Sequence, residues 1–254
     1  MDLPDPDVLD RLADRGWPAL GRDALGPWTL RAADGVTNRA NSVLALGEDR
    51  DIREAVDAAE RWYASRSLPA VFQLSPAAPP ALAPELERRG YRRHSATDIL
   101  VADRGGVAAA PVVQDAAGDI GIATHPSSGW LDTWWAVDGR GGDAERRTVE
   151  RILTGGPALY AWAGRAEQPD AVARLALVGG WGGLYAVATL PSARRRGLAR
   201  ALTAALAREA AAHDVDRLWL QVVADNSAAI ALYESLGFVS ASRYEYWEEP
   251  PPAG

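Results

Sequence analysis

LYAVATLPSARRRGLA, residues 184–199, is the stretch that decides which fold this sequence predicts. The apolar first half of this stretch predicts a buried strand, and Pro191 begins a turn. An amphipathic helical pattern then starts at 195 and continues beyond the stretch to 212. A strand that enters a helix through a short turn leaves unpaired backbone N–H groups and the positive end of the helix dipole at one point. Gly197 allows a ligand to approach closely, and the flanking arginines can bind a phosphate. The stretch therefore predicts an anion site; a helix start with a solvated arginine face is the alternative.

A second stretch, NSAAIALYESLGF at 226–238, follows a predicted buried strand at 218–223. Asn226 stands where a helix N-cap is expected, and Gly237 ends the helix. Tyr233 lies seven residues after Asn226, two helical turns along the same face, so the amide and the phenol can line one ligand channel. A plain cap at Asn226 and a core aromatic at Tyr233 are the alternatives for each residue taken separately.

The rest of the chain predicts an α/β protein with mixed central sheets in two halves. LERRGY at 86–91 and YESLGF at 233–238 place a helix, a glycine and an aromatic residue in the same order, and residues 104–110 predict a linker between the halves. Duplication of a domain explains this order; a chance likeness of two helices that end in glycine is the alternative. Strands are predicted at 28–32, 42–46, 71–74, 97–101, 158–163, 174–178, 184–189, 218–223 and 243–247, and helices at 51–65, 81–89, 144–153, 195–212 and 227–236.

Composition excludes several classes of protein. The 254 residues carry a formal net charge of −7 and include no lysine, so general binding to nucleic acid through phosphate neutralisation is not expected. Without cysteine there is no disulfide, no thiolate zinc site and no cysteine nucleophile. The first ten residues lack a secretory signal pattern, and glycines interrupt the uncharged run at 175–193. We therefore expect a cytoplasmic protein with neither a membrane span nor a nucleic-acid partner.

Together the two stretches resemble the GNAT superfamily of acyl-CoA-dependent N-acetyltransferases. The family signature is Gln or Arg-x-x-Gly-x-Gly or Ala after a strand, followed by Asn-x-x-Ala and a helix with Leu-Tyr before Gly-Phe. The resemblance covers residues 112–248. The matching residues are Arg194, Gly197 and Ala199 in the first motif, and Asn226, Ala229, Tyr233, Gly237 and Phe238 in the second.

The resemblance implies acetyl-CoA as cosubstrate, no metal, and direct attack of a neutral amine on the thioester. Tyr233 would act as the general acid that protonates the departing thiolate. The strand backbone would hold the pantetheine arm, the loop N–H groups would hold the pyrophosphate, and Asn226 and Ala229 would lie near the pantetheine or acetyl end. The strand residues are Val187, Ala188 and Thr189, and the loop residues are Arg194, Arg195, Arg196, Gly197, Leu198 and Ala199.

The general base is where the sequence departs from the family pattern. Many members carry a glutamate on the strand before the first motif, whereas residues 182–189 contain no carboxylate. Glu245 is the residue we name as base, and a solvated strand residue is the alternative for it. Other candidates are Glu248, Tyr246, His125 and a chain of water molecules.

The first half, residues 1–106, resembles a degenerate GNAT-like copy without catalysis, and residues 107–254 a catalytic domain. Glu48, Asp49 and Asp51 stand where a pyrophosphate would sit in the first half, and Leu86 takes the position of Tyr233. The first half would support the second or wall the acceptor pocket. We expect an N-acetyltransferase that acts on a small-molecule or peptide amine; a non-catalytic acyl-CoA sensor and an interaction protein are the alternatives. The tryptophans of the second half have two interpretations: their ring faces bind a cationic or aromatic amine, or their side chains pack in the core. These residues are Trp130, Trp134, Trp135, Trp162, Trp181 and Trp247.

Overall fold

A computed structural model of the chain describes residues 2–48, 51–111 and 119–250. Its helices and strands alternate along both halves. The first half contains α1 (Pro6–Gly16), β1 (Gly21–Leu25), β2 (Trp28–Ala32), a 3₁₀ turn (Asn38–Ala40), β3 (Val43–Leu44), α2 (Ile52–Ala64), β4 (Val71–Leu74), α3 (Leu82–Arg88), β5 (Arg92–Asp103) and α4 (Arg104–Ala108). The second contains β6 (Ile120–Ala123), α5 (Ser128–Asp138), α6 (Asp143–Leu153), β7 (Ala158–Arg165), β8 (Gln168–Val178), β9 (Trp181–Thr189), a 3₁₀ turn (Pro191–Ala193), α7 (Leu198–Glu209), a 3₁₀ turn (Ala210–His213), β10 (Arg217–Val223), α8 (Ser227–Glu234) and β11 (Val239–Glu248).

The described strands form one mixed sheet in the order β1-β2-β3-β4-β11-β5-β10-β9-β8-β7-β6. β3 is parallel to β4, and β9 is parallel to β10, while the paired strands around them are antiparallel. The last strand of each half crosses to the other half: β11 pairs with β4, and β5 pairs with β10. Strands β1 to β5 therefore correspond in order to β7 to β11. The prediction of a mixed α/β fold is confirmed, but one shared sheet replaces the expected separate sheets because of this exchange.

Helices cover both faces of the C-terminal part of the sheet. Successive residues of β7, for example Leu159 and Tyr160, enter different hydrophobic clusters, as the period of two in a strand requires. The cluster on one face contains α7 residues such as Leu202, and the cluster on the opposite face contains α1 and α5 residues such as Leu9 and Trp130. A third cluster surrounds α2 and α3 in the first half. The sheet thus separates two layers, and a ligand can lie on either face.

Most predicted elements agree with the structure to within a few residues. Two strands, β2 and β4, have the predicted bounds, and the predicted linker at 104–110 contains the short helix α4. The sequence did not predict α1, β1 or β6, and it showed the helix α5 only as a tryptophan-rich segment. Helix α7 begins at Leu198 rather than at 195, because Gly197 has a φ of 76°, which a right-handed helix does not allow. Residues 112–118, at which the family resemblance begins, lie outside the described residues.

Candidate active site

The parallel strands β9 and β10 separate partway along their length. Their ladder joins Trp181–Leu184 to Arg217–Leu220 and extends no further among the described residues, although β9 continues to Thr189 and β10 to Val223. Ala186 has a φ of 51° and lies at a register shift between β8 and β9, so a bulge turns β9 away from β10. The backbone N–H and C=O groups of 185–189 that do not bond to β8 consequently face a gap in the sheet.

The loop after β9 presents backbone N–H groups without acceptors. Arg195 has a φ of 63°, and Gly197, with a φ of 76°, is the N-cap of α7 and supplies no side-chain cap. Ala201 donates the first main-chain hydrogen bond of α7, to Gly197 at 3.0 Å, and within the described residues no acceptor is found for the N–H groups of 195–200. A Cβ atom built on Gly197 would have no neighbour within 4 Å, so the space in front of the loop is open. The loop has the geometry of an anion site at a helix N-terminus.

The three arginines of this loop differ in their surroundings. Arg194 donates from Nε to the Thr189 carbonyl at 3.5 Å, and Arg196 forms an exposed ion pair with Asp170 at 3.0 Å. Arg195 is exposed and has no side-chain partner among the described residues. Arg195 is therefore the guanidinium of the loop that is free to reach a ligand without breaking an existing contact.

Asn226 and Tyr233 lie at opposite ends of α8. Asn226 is exposed, and its Oδ1 caps the helix by accepting a hydrogen bond from the Ala229 N–H at 3.1 Å, while its amide N–H₂ has no partner among the described residues. Tyr233 is buried, with its ring edge-on to Phe238 at 5.7 Å, and its hydroxyl has no hydrogen-bond partner among the described residues. Burial raises the pKa of Tyr233 to about 12. The phenol is therefore neutral at physiological pH and can donate a proton.

A cavity of about 420 Å³ lies on the opposite face of the sheet from Tyr233. Ala186 of the β9 bulge and Val223 at the end of β10 form part of its wall, so the cavity adjoins the gap between the two strands. Both halves of the chain line it: Trp17 and Arg39 come from the first half, and Trp134 from the second. The gap in the sheet thus lies between the anion loop and an aromatic cavity.

Charged and polar groups line one side of this cavity. Arg39 lies beside Tyr244 and Tyr246, and its guanidinium carbon is 5.9 Å from the centre of the Tyr185 ring. Burial opposes the charge of Arg39, but the neighbouring oxygens of Tyr244 and Tyr246 raise its pKa overall. At the rim, burial raises the pKa of Asp138, although Arg140 and then Arg39 act against this rise. No pattern in the sequence marks Arg39 or Asp138, because both reach the site only through tertiary packing.

Of the predicted base candidates, Tyr246 lines the cavity and the carboxylates do not. The Glu245 carboxylate accepts a hydrogen bond from Trp247 Nε1 at 3.0 Å and is not among the lining residues. Glu248 lies 3.7 Å from His94 Nε2. His125 contacts Thr124 at 3.2 Å and also lies outside the lining. The structure therefore brings Tyr246, but not Glu245, to the cavity that adjoins the gap between β9 and β10.

The first half repeats the geometry of the second without its open N-terminus. Tyr91 N–H donates to Leu86 at 3.0 Å, as Phe238 N–H donates to Tyr233 at 3.1 Å, and Gly90 has a positive φ of 81°. Leu86 is fully buried in the position that corresponds to Tyr233. The Asp51 carboxylate caps α2 by accepting from the N–H groups of 53 and 54 at 3.0 and 3.2 Å. An acidic side chain thus occupies the helix N-terminus that Gly197 leaves open in the second half.

The described residues form neither a metal-binding cluster nor a helix that could cross a membrane. Across 2–48, 51–111 and 119–250, no group of three or more His, Asp or Glu side chains is arranged to hold a metal ion. In the same part of the chain, no helix is both long and apolar enough to cross a membrane.

Comparison with known proteins identifies relatives over almost the whole chain. A family model described as probable histone acetyltransferase Rv0428c C-terminal matches residues 8–247. The uncharacterized N-acetyltransferase YobR of Bacillus subtilis (strain 168) is 27% identical over 245 residues, which cover 94% of this chain and 96% of YobR. Both matches extend through both halves of the chain.

Two solved structures share the fold. A GCN5-related N-acetyltransferase from Kribbella flavida has a TM-score of 0.70 and 20% identity, covering 97% of this chain and 96% of that chain. A tandem GNAT protein from the clavulanic acid biosynthesis pathway has a TM-score of 0.68 and 16% identity, covering 100% of this chain and 91% of that chain. The mixed sheet described above is therefore a GNAT fold.

Proposed function

We propose that this chain transfers an acetyl group from acetyl-CoA to the amine of an acceptor. The chain belongs to the family described as probable histone acetyltransferase Rv0428c C-terminal, and it is an acyltransferase with the GNAT fold. One observation carries the proposal: the gap between β9 and β10 lies between an N–H-rich loop and a cavity on the other face of the sheet. A thioester in that gap would be reached from both sides. No cysteine nucleophile or metal ion is needed for this direct transfer.

The loop and the β9 edge fit a CoA molecule. The unpaired N–H groups of 195–199 face open space at Gly197 and can donate to the oxygens of a pyrophosphate. Arg195 can add a charge-assisted hydrogen bond to the same group. Backbone groups of 187–189 along the gap can pair with the amides of the pantetheine arm as an added strand does. The free amide of Asn226 can donate to a carbonyl of that arm.

Tyr233 supplies the proton that the leaving group needs. The acceptor nitrogen forms a bond to the acetyl carbon as the bond between that carbon and sulfur breaks. The thiolate takes the proton of the Tyr233 hydroxyl, and the tyrosine regains a proton from solvent. The attacking amine loses its proton through water, because Glu245 lies outside the cavity and can receive that proton only through such a chain. Glu245 as the ultimate base stays a prediction.

The first half contributes the wall of the acceptor cavity rather than a second active centre. We infer that the chain divides at 106/107 into a non-catalytic copy and a catalytic copy. Two observations support this division: strands β1 to β5 correspond in order to β7 to β11, and Gly90 and Gly237 each end a helix with a positive φ. Asp51 at the N-terminus of α2 repels a pyrophosphate, and Leu86 offers no acidic proton. The cofactor stoichiometry expected from this division is one acetyl-CoA per chain.

Calorimetric titration with acetyl-CoA, followed by a thiol-release assay over a panel of amines, tests the proposal. The chain has no lysine, so acetylation of its own lysine side chains cannot release thiol and obscure the result. The panel contains amino acids, aminoglycosides, small diamines and a lysine-rich peptide, since the family description names a histone acetyltransferase. Binding with thiol release for one class supports the enzyme. Binding without release for any amine favours an acyl-CoA sensor, and absence of binding overturns the proposal.

A further inference from the structure

Three hydrogen-bond donors of residues that line the acceptor cavity have no carboxylate as a partner among the described residues. Arg39 forms no ion pair with a carboxylate in the part of the chain that the structure describes. Among the described residues, the enclosed Trp134 Nε1 atom has no hydrogen-bond partner, and the enclosed Tyr246 hydroxyl has only the neighbouring Tyr244 hydroxyl beside it; the two residues are 8% and 4% exposed. Buried donors without partners destabilise a protein, so their occurrence together in one cavity indicates a ligand.

The chemistry of these donors indicates the charge of the ligand. A guanidinium and an indole N–H can only donate hydrogen bonds, and a phenol hydroxyl can do so. A group that accepts from all three must present several oxygen lone pairs, as a carboxylate or a phosphate does. The planar guanidinium also matches the geometry of both anions. Arg39 and Tyr246 therefore select an anionic group.

The position of Arg39 places this anionic group near the reacting nitrogen. Its guanidinium lies 5.9 Å from the ring centre of Tyr185, the residue directly before Ala186 at the gap. The cavity volume of about 420 Å³ is in the range of sites for small molecules. Asp138, at the rim, offers the opposite charge, which suits an ammonium group as it enters. A molecule that carries both an amine and an anion satisfies both charges.

We propose that the acceptor is a small amine that also carries a carboxylate or phosphate group, and that Arg39, Tyr246 and Trp134 bind that group. This inference rests on the proposed function. A polyamine or a lysine-rich peptide fits less well, because Arg39 and Arg140 repel additional positive charge in the cavity. Amino acids and amino-phosphates are the compounds that test the two anions.

Matched pairs of amines test the proposal on the unmodified protein. Phenylalanine is compared with phenylalanine amide and phenethylamine, phosphoethanolamine with ethanolamine, and all are compared with a lysine-rich peptide. We expect kcat/KM from thiol release to favour the anionic member of at least one pair by about tenfold or more, as loss of a charge-assisted pair implies. The pair that shows the preference identifies carboxylate or phosphate. Equal rates for both members of every pair, or preference for the peptide, would overturn the proposal.

Substitution of Arg39 provides the second test. Arg39→Gln should remove the preference by slowing the anionic amine about tenfold while changing the neutral amine less than about twofold, and Arg39→Lys should keep part of the preference. Arg147→Gln, at an exposed arginine of α6 outside the cavity, is the matched control and should change neither rate. Equal loss with both amines in Arg39→Gln would indicate a structural role and contradict the assignment.

Calorimetry separates failure of this inference from failure of the proposed function. The same pairs are titrated into the protein without acetyl-CoA, and acetyl-CoA is titrated separately. If acetyl-CoA binds but no amine releases thiol, the proposed enzyme activity fails, while binding of the anionic amine alone still supports the anion site. If neither member of any pair binds, or both bind equally, the anion site is wrong whatever the outcome with acetyl-CoA.

Discussion

Leu184 and Leu220 form the last residue pair of the parallel ladder between β9 and β10. Beyond this pair β9 stays bonded to β8 as far as Thr189, and β10 stays bonded to β5 as far as Val223, so each strand keeps one partner and loses the other. The sheet therefore opens locally without losing its outer pairings. The N–H-rich loop and the acceptor cavity both border this opening, which is why these elements act as one candidate site.

Gly197→Glu should abolish binding of acetyl-CoA. A carboxylate at the N-cap of α7 would fill the open space in front of the loop and repel a pyrophosphate, as Asp51 is expected to do at α2. Calorimetry should show at least about a hundredfold loss of affinity. Gly197→Ala is the matched control: its Cβ meets no atom within 4 Å, so it should lower stability by about 1 kcal/mol through the positive φ while largely keeping affinity. Retained affinity in Gly197→Glu would contradict the anion site.

Tyr233→Phe should slow turnover without weakening the binding of acetyl-CoA. The substitution removes a hydroxyl that has no hydrogen-bond partner among the described residues, so the melting temperature should be nearly unchanged. Loss of a general acid lowers kcat by about a hundredfold or more. Because the pKa of Tyr233 is about 12, wild-type turnover should show no loss from its ionisation below about pH 10. Unchanged kcat in Tyr233→Phe would exclude its role as acid.

Tyr246→Phe and Tyr244→Phe should have opposite effects on stability. The Tyr246 hydroxyl is buried and accepts or donates no well-formed hydrogen bond among the described residues, so its removal should raise the free energy of unfolding by about 1 kcal/mol in the absence of ligand. The Tyr244 hydroxyl accepts from Gln221 Nε2 at 3.2 Å, and its removal should lower that free energy by a similar amount. Urea titration of both variants measures the difference. Equal destabilisation by the two substitutions would mean that Tyr246 has a partner.

Asp51→Ala should affect stability but not activity. The carboxylate caps α2, and loss of such a cap costs about 1 kcal/mol. Since the first half is proposed to hold no cofactor, acetyl-CoA should still bind at one molecule per chain with unchanged kcat. Thermal unfolding and calorimetric stoichiometry test the two parts. A stoichiometry of two in the unmodified protein would refute the degenerate copy.

Asp10 should make the protein less stable as pH rises from about 4 to 7. It is 1% exposed on α1 and accepts hydrogen bonds from Ser75 Oγ at 2.5 Å and Gln73 Nε2 at 3.1 Å, yet burial raises its pKa from 3.8 to about 6. The folded state then binds the proton more tightly than the unfolded state. The stabilisation is full below about pH 3.8 and is lost as pH rises through 6, up to about 3 kcal/mol.

Asp10→Asn should remove this part of the pH dependence, measured by urea unfolding at pH 4, 5.5 and 7. Asp14 has the opposite sign: Arg22 and Arg31 outweigh its burial and lower its pKa, so its contribution is lost as pH falls. The exposed substitution Asp2→Asn is the control and should leave the profile unchanged. A variant Asp10→Asn with the wild-type profile would show that Asp10 stays ionised over this range.

The sequence by itself determined the parts of the site that depend on local backbone geometry. The strand, turn and helix around Gly197, the N-cap at Asn226 and the turn at Gly237 follow from residues that are close in sequence, and the structure has them. Helix α5 was missed because apolar side chains are not confined to its buried face: Trp130 and Trp134 are buried on one side, but Leu131 and Trp135 lie partly exposed on the other, so the apolar pattern has no clear period of 3.6. The family resemblance followed from the same local motifs.

Only the tertiary structure decided how the two halves meet and what lines the acceptor cavity. The exchange of β5 and β11 joins strands that are far apart in sequence, and no local pattern specifies which edges will pair. Arg39 and Tyr246, more than two hundred residues apart, become neighbours only through this pairing. Hydrophobic periodicity determines which face of a strand is buried, but the neighbours that strand acquires depend on packing of the whole chain.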